Sequence, residues 1–528
     1  MTRVARKRAS KPAPAPRADV CLLLEGTYPL VRGGVAGWVH QIIRGLPELT
    51  FALVFIGGRR ADYGESKYEV PPNVVHFECH FLEDAFEGYE PQRRRVPGAA
   101  LAEVEGLHEY LRRASHDGHA AGGGDAAKLY EAAVDAVLAS LERSGGLGLE
   151  HFLFGEESWD MIKCRHLAES RPASFVDYFW TLRFIHGPLF QLARLAEGVP
   201  AARVYHSIST GYAGLLGVFL ERRRRRPLIL SEHGIYTKER RIDLNQAEWL
   251  EPIGARRSAE RGQSAAVLRE LWIRSFESLG RLVYRSARPI ISLYEGNRAR
   301  QQLEGAAPER TRIIVNGIDL SRFERARARR RQPTPHVVGL IGRVVPIKDI
   351  KTFIRAIGVL VQQLPDAVGC IVGGSEEGAS YEQECRELAL SLGLAEQIRF
   401  LGHRDVVEVF PELGLLMLSS ISEGQPLCLL EAFASGVPCV ATDVGSCRVL
   451  IEGQGEQDRA LGLAGRVVPF ADHEALGQAA LELLRDPEVW RACGEAAHAR
   501  AHRYYAEQTM LEAYRGVYRE AMEAPWPA

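Results

Sequence analysis

Two cations and two carboxylates occupy positions where they could hold a charged ligand. Arg343 and Lys348 follow the apolar segment 337–341, at a turn that the sequence predicts to run from a strand into a helix. The amino end of a helix favours anions, and two cations beside it would make a compact site for phosphate groups. Glu423 follows another predicted strand, and Glu431 lies about one turn into the next helix. A diphosphate could therefore rest on the cations and the helix amides, while the carboxylates accept hydrogen bonds from sugar and ribose hydroxyls.

The elements that must position these side chains follow an alternating pattern. Short continuous apolar runs alternate with glycine-rich turns and helical segments, which is typical of parallel strands buried between layers of helices. The predicted strands are 20–24, 51–56, 74–77, 204–206, 227–233, 289–293 and 312–315 in the first half, and 337–341, 368–372, 398–401, 415–418, 437–441 and 467–468 in the second. We therefore predict an α/β fold with two doubly wound Rossmann-like domains facing a cleft, where ligands bind at the carboxyl ends of the strands.

Changes of composition predict the domain boundaries. Glycine clusters at 122–124 and 145–146 interrupt an Ala-, Leu- and Glu-rich stretch, which indicates a helical insertion in the first domain. The arginines between 325 and 331 precede Pro335 and are interpreted as a solvated spacer. The predicted units are a disordered basic tail (1–18), the first domain (19–324) with its insertion (about 80–175), a linker (325–335), the second domain (336–503) and a C-terminal helix that packs back on the first domain (504–528).

Composition and charge exclude several classes of protein. The chain is 46% hydrophobic and 25% charged, which excludes a disordered or fibrous protein. The formal net charge is −1, and the basic residues concentrated in 1–18 leave the rest acidic, so nucleic acid is not an expected partner. The nine cysteines form no Cys-x-x-Cys pair, and no apolar run suits a signal peptide or a membrane helix. A cytoplasmic setting is therefore expected, in which the tail is a solvated leader or contacts an anionic membrane or partner.

Several motifs resemble a known family. The motifs Gly342-Arg343…Lys348, Gly373-Gly374, Glu423-x₇-Glu431 and 434–438 are similar to the donor-binding domain of glycosyltransferase family 4, the retaining GT-B enzymes. Gly33-Gly34 and Asn316-Gly-Ile-Asp319 resemble the glycine loop and the interdomain strand end of the same family. The segments 24–35, 175–184, 207–216 and 231–240 resemble the cytoplasmic glycosyltransferases of Pel exopolysaccharide systems. The resemblance covers roughly residues 19–510.

The resemblance implies a role for each matching residue. Arg343 and Lys348 would neutralise the donor diphosphate, Glu431 would bind the ribose, and Glu423 would bind the transferred sugar. His233 would face that sugar near its anomeric carbon. The remaining donor-binding residues implied by the match are Gly33, Gly34, Gly373, Gly374, Gly424 and Leu427. Many relatives have an aromatic residue and a glycine where this chain has Gln425-Pro426, so the donor contact there is expected from Leu427, Cys428 or a side chain.

The same resemblance implies the reaction and its partners. The expected activity is transfer of a hexose or N-acetylhexosamine from a UDP-sugar to a growing polysaccharide with retention, with an inner-membrane export complex as a further partner. No Asp-x-Asp occurs in the chain, and no metal or other cofactor is expected. A UDP-sugar 2-epimerase, a glycogen-synthase-like enzyme and a non-catalytic sugar-nucleotide-binding subunit remain alternatives. A dinucleotide dehydrogenase is disfavoured because Gly34-x-x-Gly37 is only a fragment of its fingerprint.

Local structural roles also remain open for three of the candidates. Gly33 and Gly34 could form an ordinary tight turn, His233 could be a buried histidine, and Glu431 could pair locally. The structure must therefore show whether these residues come together.

Overall fold

The computed structural model describes residues 18–84, 101–102, 104–106, 108–109, 123–141, 148–168, 174–246, 259–330, 335–375 and 379–524. Residues 1–17 of the predicted tail, parts of the predicted insertion and residues 331–334 of the predicted linker lie outside these ranges. Within them, no helix is long and apolar enough to cross a membrane.

The first half of the chain forms a seven-stranded parallel sheet. Its strands are β1 (Ala18–Glu25), β2 (Phe51–Gly57), β3 (Val74–Phe81), β4 (Ala202–Ser207), β5 (Leu228–Glu232), β6 (Ile290–Ser292) and β7 (Thr311–Ile313). They lie in the order β3-β2-β1-β4-β5-β6-β7. β1 forms because its run of five apolar residues is buried on both faces of the sheet, with Leu22 paired to Leu53 on one side and His206 on the other.

Helices cover both faces of this sheet. They are α1 (Gly34–Gly45), α2 (Gly123–Leu141), α3 (Leu149–Phe154), α4 (Glu156–Ala168), α5 (Phe175–Gly198), α6 (Tyr212–Arg224), α7 (Tyr236–Gln246), α8 (Ala259–Ser286) and α9 (Glu295–Leu303). α2, α3 and α4 fall in the stretch predicted to be a helical insertion. The last turn of α6 carries Arg222, Arg223 and Arg224, where cations complement the helix dipole.

The second half forms a six-stranded parallel sheet with the same winding. Its strands are β8 (Val337–Ile341), β9 (Val368–Val372), β10 (Ile398–Gly402), β11 (Leu415–Leu418), β12 (Cys439–Thr442) and β13 (Gly465–Val468), in the order β10-β9-β8-β11-β12-β13. Its helices are α10 (Leu320–Ala328), α11 (Ile350–Val361), α12 (Ala379–Ser391), α13 (Val406–Val409), α14 (Leu427–Ala434), α15 (Cys447–Glu452), α16 (Gly455–Arg459), α17 (His473–Arg485) and α18 (Pro487–Tyr504). The two sheets confirm the predicted doubly wound α/β class.

The strand order determines where a ligand crevice can open in each sheet. In each sheet the winding reverses beside the first strand, between β1 and β4 and between β8 and β11. The loops that leave the carboxyl ends of these strands separate at that point and open a crevice. The loops after β8 and β11 carry Arg343, Lys348 and Glu423.

The chain passes from the first domain to the second and later back again, and the two crossings, around Ile318 and Ala506, are in contact. Ile318 and Ala506 form an isolated parallel bridge, in which Ile318 N–H donates to the Tyr505 carbonyl over 2.9 Å. A Cβ atom at Gly317 would lie only 2.6 Å from the Glu507 Cα, so this crossing requires glycine. After the second crossing, α19 (Glu507–Glu523) buries its apolar face in the core of the first domain, against α1 and the first sheet.

The arginine run in the predicted linker is better ordered than the sequence indicates. α10 extends to Ala328, because Asp319 caps its amino end and Phe323 and Ala326 are buried against the second domain. Arg330 then packs over the Trp490 ring, 4.5 Å from its centroid, and donates to the Gly436 carbonyl. Of the described arginines of this run, Arg330 is therefore packed, whereas Arg325, Arg327 and Arg329 are exposed, as the interpretation of a solvated spacer expects.

Candidate active site

A buried ion pair joins the loops after β8 and β11. Lys348 Nζ donates to Glu423 Oε1 over 2.5 Å, and the Ser420 hydroxyl donates to the same oxygen over 2.6 Å. The Lys348 and Glu423 side chains are 22% and 11% exposed. The two loops are also tied by the Ser419 hydroxyl, which donates to the Lys348 carbonyl. Burial is the largest single effect and opposes the charge of Lys348, but the Glu423 carboxylate and Cys428 together raise the pKa of the ammonium group on balance.

Two glycines fix the loop that carries Arg343. A Cβ atom at Gly373 would lie 1.9 Å from the Gly342 carbonyl oxygen, so the end of β9 can approach this loop only as glycine. Val344 N–H then donates to the Gly374 carbonyl over 2.9 Å. The Arg343 side chain is exposed on the loop so held. Gly373 therefore has a packing role, and Gly374 accepts a backbone hydrogen bond, which sequence reasoning, by assigning both residues to the donor, did not anticipate.

The amino end of α14 faces the first domain. Pro426 occupies the N-cap position and Leu427 is the first helical residue. The amides of the first helical turn have no acceptor within their own helix. Those of Leu427 and Cys428 therefore remain available to an anion.

Loops of the two domains meet at this helix end. A Cβ atom at Gly424 would lie 1.9 Å from the His233 carbonyl oxygen, and one at Gly34 would lie 3.8 Å from the Leu427 Cδ1. At Gly33 a Cβ atom would meet no atom within 4 Å among the described residues. Gly33 and Gly34 therefore border open space beside α14. His233 and Gly34 of the first domain thus lie close to the loop that carries Glu423 and to the start of α14.

His233 lies directly after β5 and packs against Trp38 of α1. The two ring centroids are 4.6 Å apart, with the planes inclined by 65°. The Nε2 atom of His233 is buried and has no hydrogen-bond partner in the described part of the chain. Burial lowers the pKa of His233 to about 4, so the imidazole is neutral at pH 7. A neutral imidazole with an unpaired nitrogen is suited to a hydrogen bond with a ligand hydroxyl.

Glu431 lies in the second turn of α14 and is partly buried. No side chain of the described residues forms a hydrogen bond with its carboxylate. Burial raises its pKa to about 7, although Arg322 opposes this change, and the Arg322 guanidinium is itself paired with Asp405 over 2.5 Å. Local pairing therefore does not account for Glu431.

A cavity of about 580 Å³ opens between the ends of β9 and β10. Gly373, Gly374 and Ser375 form one side of it, and the segment 400–403 forms the other. Its position beside the loop of Arg343 would suit the nucleoside end of a ligand whose phosphates lie at α14.

Sequence reasoning missed three residues that shape this site. The Gln425 side chain accepts from Asn316 N–H over 2.6 Å, which ties the loop before α14 to the interdomain crossing. Ser420 holds Glu423, and Trp38 supports His233. Gln425 could have been singled out from the sequence, because many relatives have an aromatic residue at this position. Nothing in the sequence distinguishes Ser420 or Trp38 from ordinary loop and core residues.

Comparison with known protein families shows which family the chain belongs to. The family model described as "Domain of unknown function (DUF3492)" matches residues 18–309, more than half of the chain. The chain belongs to this family. A second model, described as "Glycosyl transferases group 1", matches residues 321–500 of this DUF3492 protein, which contain Arg343, Lys348, Glu423 and Glu431. The second domain is therefore a group 1 glycosyltransferase domain.

Curated relatives match the DUF3492 chain over part of their length. A D-inositol 3-phosphate glycosyltransferase of Saccharomonospora viridis is 32% identical over 237 residues, which are 42% of this chain and 53% of the relative. The lipopolysaccharide core biosynthesis mannosyltransferase LpsB of Rhizobium meliloti is 31% identical over 220 residues, which are 40% of this chain and 61% of the relative. The chain thus spans between half and two thirds of the length of these relatives.

Solved structures show the same fold over nearly the whole chain. Anabaena HepE in complex with UDP and glucose superposes with a TM-score of 0.55 at 14% identity, covering 95% of this chain and 99% of that one. Sucrose-phosphate synthase from Thermosynechococcus elongatus gives 0.55 at 17% identity, covering 96% and 100%. The DUF3492 chain therefore has the GT-B fold of glycosyltransferases, in which two Rossmann-like domains face each other.

Proposed function

We propose that the chain is a retaining glycosyltransferase that moves a hexose or N-acetylhexosamine from a UDP-sugar to a growing polysaccharide. The observation that carries this proposal is the Lys348–Glu423 pair, which lies beside the amino end of α14 where Gly34 and His233 of the first domain approach it. A sugar nucleotide requires an anion site for its diphosphate and a polar group for its uncharged sugar, and this position offers both.

Lys348 and Arg343 bind the diphosphate in this proposal. The Lys348 ammonium group has three donors and uses one on Glu423, so the others can reach phosphate oxygens. The amides of Leu427 and Cys428 and the backbone at Gly33 and Gly34 complete the phosphate site. These charges and dipoles stabilise the negative charge that develops on the departing UDP.

Carboxylates orient the neutral parts of the donor. Glu431, whose carboxylate has no hydrogen-bond partner among the described residues, accepts from the ribose hydroxyls. Glu423 accepts from hydroxyls of the transferred sugar, while His233 contacts that sugar near its anomeric carbon. The uracil ring occupies the cavity beside Gly373 and Gly374. HepE, whose solved structure contains UDP and glucose, supports a UDP-linked donor through its shared fold.

The acceptor and the setting rest on the resemblance to Pel glycosyltransferases. We propose a cytoplasmic enzyme of Pel-type exopolysaccharide synthesis, which extends a polysaccharide beside an inner-membrane export complex. The catalytic site lies between the two domains, so an acceptor would enter against the first domain and His233.

A panel of nucleotide sugars tests the proposal. UDP-glucose, UDP-GlcNAc, UDP-GalNAc and a GDP-sugar are compared by thermal shift and by nucleotide release, with and without oligosaccharide acceptor. Stabilisation by one UDP-sugar and acceptor-dependent release of UDP are expected, and Lys348→Ala should lose both. The matched control is Lys351→Ala, which breaks a similar pair with Glu384 outside the cleft.

Product analysis separates the alternatives. Stabilisation without turnover would indicate a non-catalytic binding subunit, and a changed sugar without acceptor would indicate a 2-epimerase. Proton NMR of the first transfer product should show an α linkage, and a β linkage would count against retention.

A further inference from the structure

A cluster of two histidines and a glutamate joins α10 to α18 next to the interdomain crossings. His498 and His502 lie four residues apart on one face of α18, and Glu324 lies on α10. Glu324 Oε1 is 2.7 Å from the Nε2 atoms of both histidines, and the two imidazole centroids are 4.2 Å apart. One carboxylate oxygen and two ring nitrogens therefore converge on a single point.

We propose that Glu324, His498 and His502 bind one divalent transition-metal ion of the zinc class. Two imidazoles and a carboxylate are a common set of protein ligands for this class, with bonds of about 2.0–2.2 Å. The three ligand atoms already lie within 4.8 Å of one another. Tetrahedral bonds of that length separate neighbouring ligand atoms by about 3.4 Å. The two imidazole-to-carboxylate distances therefore need to lengthen by less than about 1 Å.

The hydrogen bonding of His498 defines what an ion would displace. Its Nε2 atom is 2.7 Å from Glu324, and Arg327 Nη1 lies 2.9 Å from Nε2 and 3.2 Å from Nδ1, so a ring protonated at Nε2 donates to Glu324 and accepts from Arg327 at Nδ1. A metal ion on Nε2 would replace that proton and bind the carboxylate as well. The neutral ring would then carry its proton on Nδ1, and the Arg327 side chain would turn away from it and from the like charge of the ion.

The location indicates what the ion would do. α10 begins just after the crossing at Ile318, and α18 ends just before the crossing at Ala506. Both helices also pack against α14, the helix whose amino end borders the cleft. A bound ion would therefore clamp the two helices that carry the chain into and out of the second domain. It would stabilise this junction and take no part in the chemistry of the donor.

Titration of the untagged full-length protein with Co²⁺ and Zn²⁺ tests the proposal. After dialysis against a chelator, one Co²⁺ per chain should give visible d–d absorption without a thiolate charge-transfer band. One Zn²⁺ should bind by calorimetry and raise the melting temperature. His502→Ala and Glu324→Gln should each weaken binding about tenfold or more. Both side chains are at least 39% exposed, so these variants should fold.

Two further variants make the test specific. His473→Ala removes a histidine at the start of α17 and should leave binding unchanged. Arg327→Gln removes a cation beside the ion and should tighten binding. The proposal is overturned if wild-type protein binds neither metal, if His502→Ala binds as tightly as wild type, if Arg327→Gln does not bind more tightly, or if the cobalt spectrum shows a thiolate ligand.

Discussion

Lys348 and Glu431 should be distinguishable by their kinetic signatures. In the proposed function, Lys348 acts as charge develops on the departing diphosphate, where a charge-assisted hydrogen bond is worth about 1.5–3 kcal/mol. Lys348→Ala should therefore lower kcat by about 10- to 100-fold. The proposed contact of Glu431 with the ribose is the same in the ground and transition states, so Glu431→Ala should chiefly raise the donor KM. A donor titration of both folded variants measures the difference.

The control for this comparison is Lys351→Ala, whose kcat and KM should match those of wild type. If Glu431→Ala leaves KM intact while Lys348→Ala changes only KM, the donor does not lie in this cleft as proposed. Arg343→Ala should resemble Lys348→Ala, because both cations are proposed to bind the same diphosphate. Glu423→Ala should change both constants, because Glu423 is proposed to contact the reacting sugar.

Because a side chain at Gly33 would enter open space, a substitution there can block the donor without destabilising the protein. A Cβ atom there meets no described atom, and the backbone is extended, so Gly33→Ala should change the free energy of unfolding by less than about 0.5 kcal/mol. The added methyl group would occupy the approach of the phosphates to α14, and donor binding should weaken about tenfold or more. Thermal unfolding and a nucleotide titration check the two expectations.

Gly37→Ala is the matched control, since a Cβ atom at Gly37 also meets no atom of the described residues within 4 Å. Gly37 lies inside α1, so alanine should stabilise the protein by about 0.5–1 kcal/mol and leave donor binding unchanged. Equal donor affinity in both variants would show that the phosphates do not approach Gly33.

Burial of Glu431 predicts a pH dependence of donor binding. Its pKa is raised to about 7, so the carboxylate that accepts from the ribose is lost as the pH falls from 8 to 6. The donor KM should rise over that interval, and Glu431→Gln should have a high KM with a flatter profile.

The same raised pKa predicts a pH dependence of stability. Between about pH 4.5 and 7, the Glu431 carboxyl is protonated in the folded protein and ionised in the unfolded chain. The contribution of Glu431 to the free energy of unfolding therefore decreases as the pH rises through this window, and Glu431→Gln should lack that decrease.

The sequence predicts the members of the site better than it predicts what each one contacts. Lys348 and Glu423 could be expected to meet, because they follow apolar strands whose carboxyl ends share one edge of the sheet. The packing role of Gly373 could not be expected, because it depends on the carbonyl oxygen of Gly342, which belongs to a neighbouring strand end. The N-cap position of Pro426 depends on a backbone dihedral angle that the residue type leaves open.

At the scale of elements, strands were easier to predict than the helix at the domain junction. β9 and β11 coincide with the apolar runs 368–372 and 415–418, because strands buried on both faces admit little polar sequence. α10 was missed because six of its residues and neighbours are arginine or glutamate. Its signal is the pair Phe323 and Ala326, three residues apart behind the capping residue Asp319.

The C-terminal helix α19 should affect catalysis through one of two buried tyrosines. Tyr514 and Tyr518 are both fully buried, so replacement of either by leucine should cost about 2 kcal/mol of unfolding free energy. The Tyr514 ring packs 5.2 Å from Trp38, which supports His233, whereas Tyr518 hydrogen-bonds to His206 over 2.8 Å. Tyr514→Leu should therefore lower kcat by about tenfold, and Tyr518→Leu should lower it less.

Activity of these two variants is measured well below their melting temperatures, with the fraction folded taken from circular dichroism. Equal kcat values for the two proteins would show that the support of Trp38 by α19 does not position His233.

At the scale of the whole molecule, segments far apart along the chain approach closely at the candidate site and at the crossings between the domains. Gly424 contacts the His233 carbonyl at the site, and Gly317 contacts Glu507 where the chain crosses. Both contacts require glycine, since a Cβ atom would come within 2.6 Å of the opposite backbone. The sequence suggested a cleft between two domains but not these contacts, because they join residues that are far apart along the chain.

Transfer by the whole molecule should need no divalent metal. In the proposed function, Lys348, Arg343 and the amino end of α14 supply positive charge to the diphosphate, and the chain contains no Asp-x-Asp to hold a metal–diphosphate complex. EDTA should therefore leave kcat within about twofold of its value with Mg²⁺. EDTA should also leave the kcat of His502→Ala unchanged, because the ion proposed to bind His502 lies at the domain junction and not at the donor. Loss of activity in EDTA that Mg²⁺ or Mn²⁺ restores in both proteins would place a metal ion at the donor and contradict this neutralisation by the protein alone.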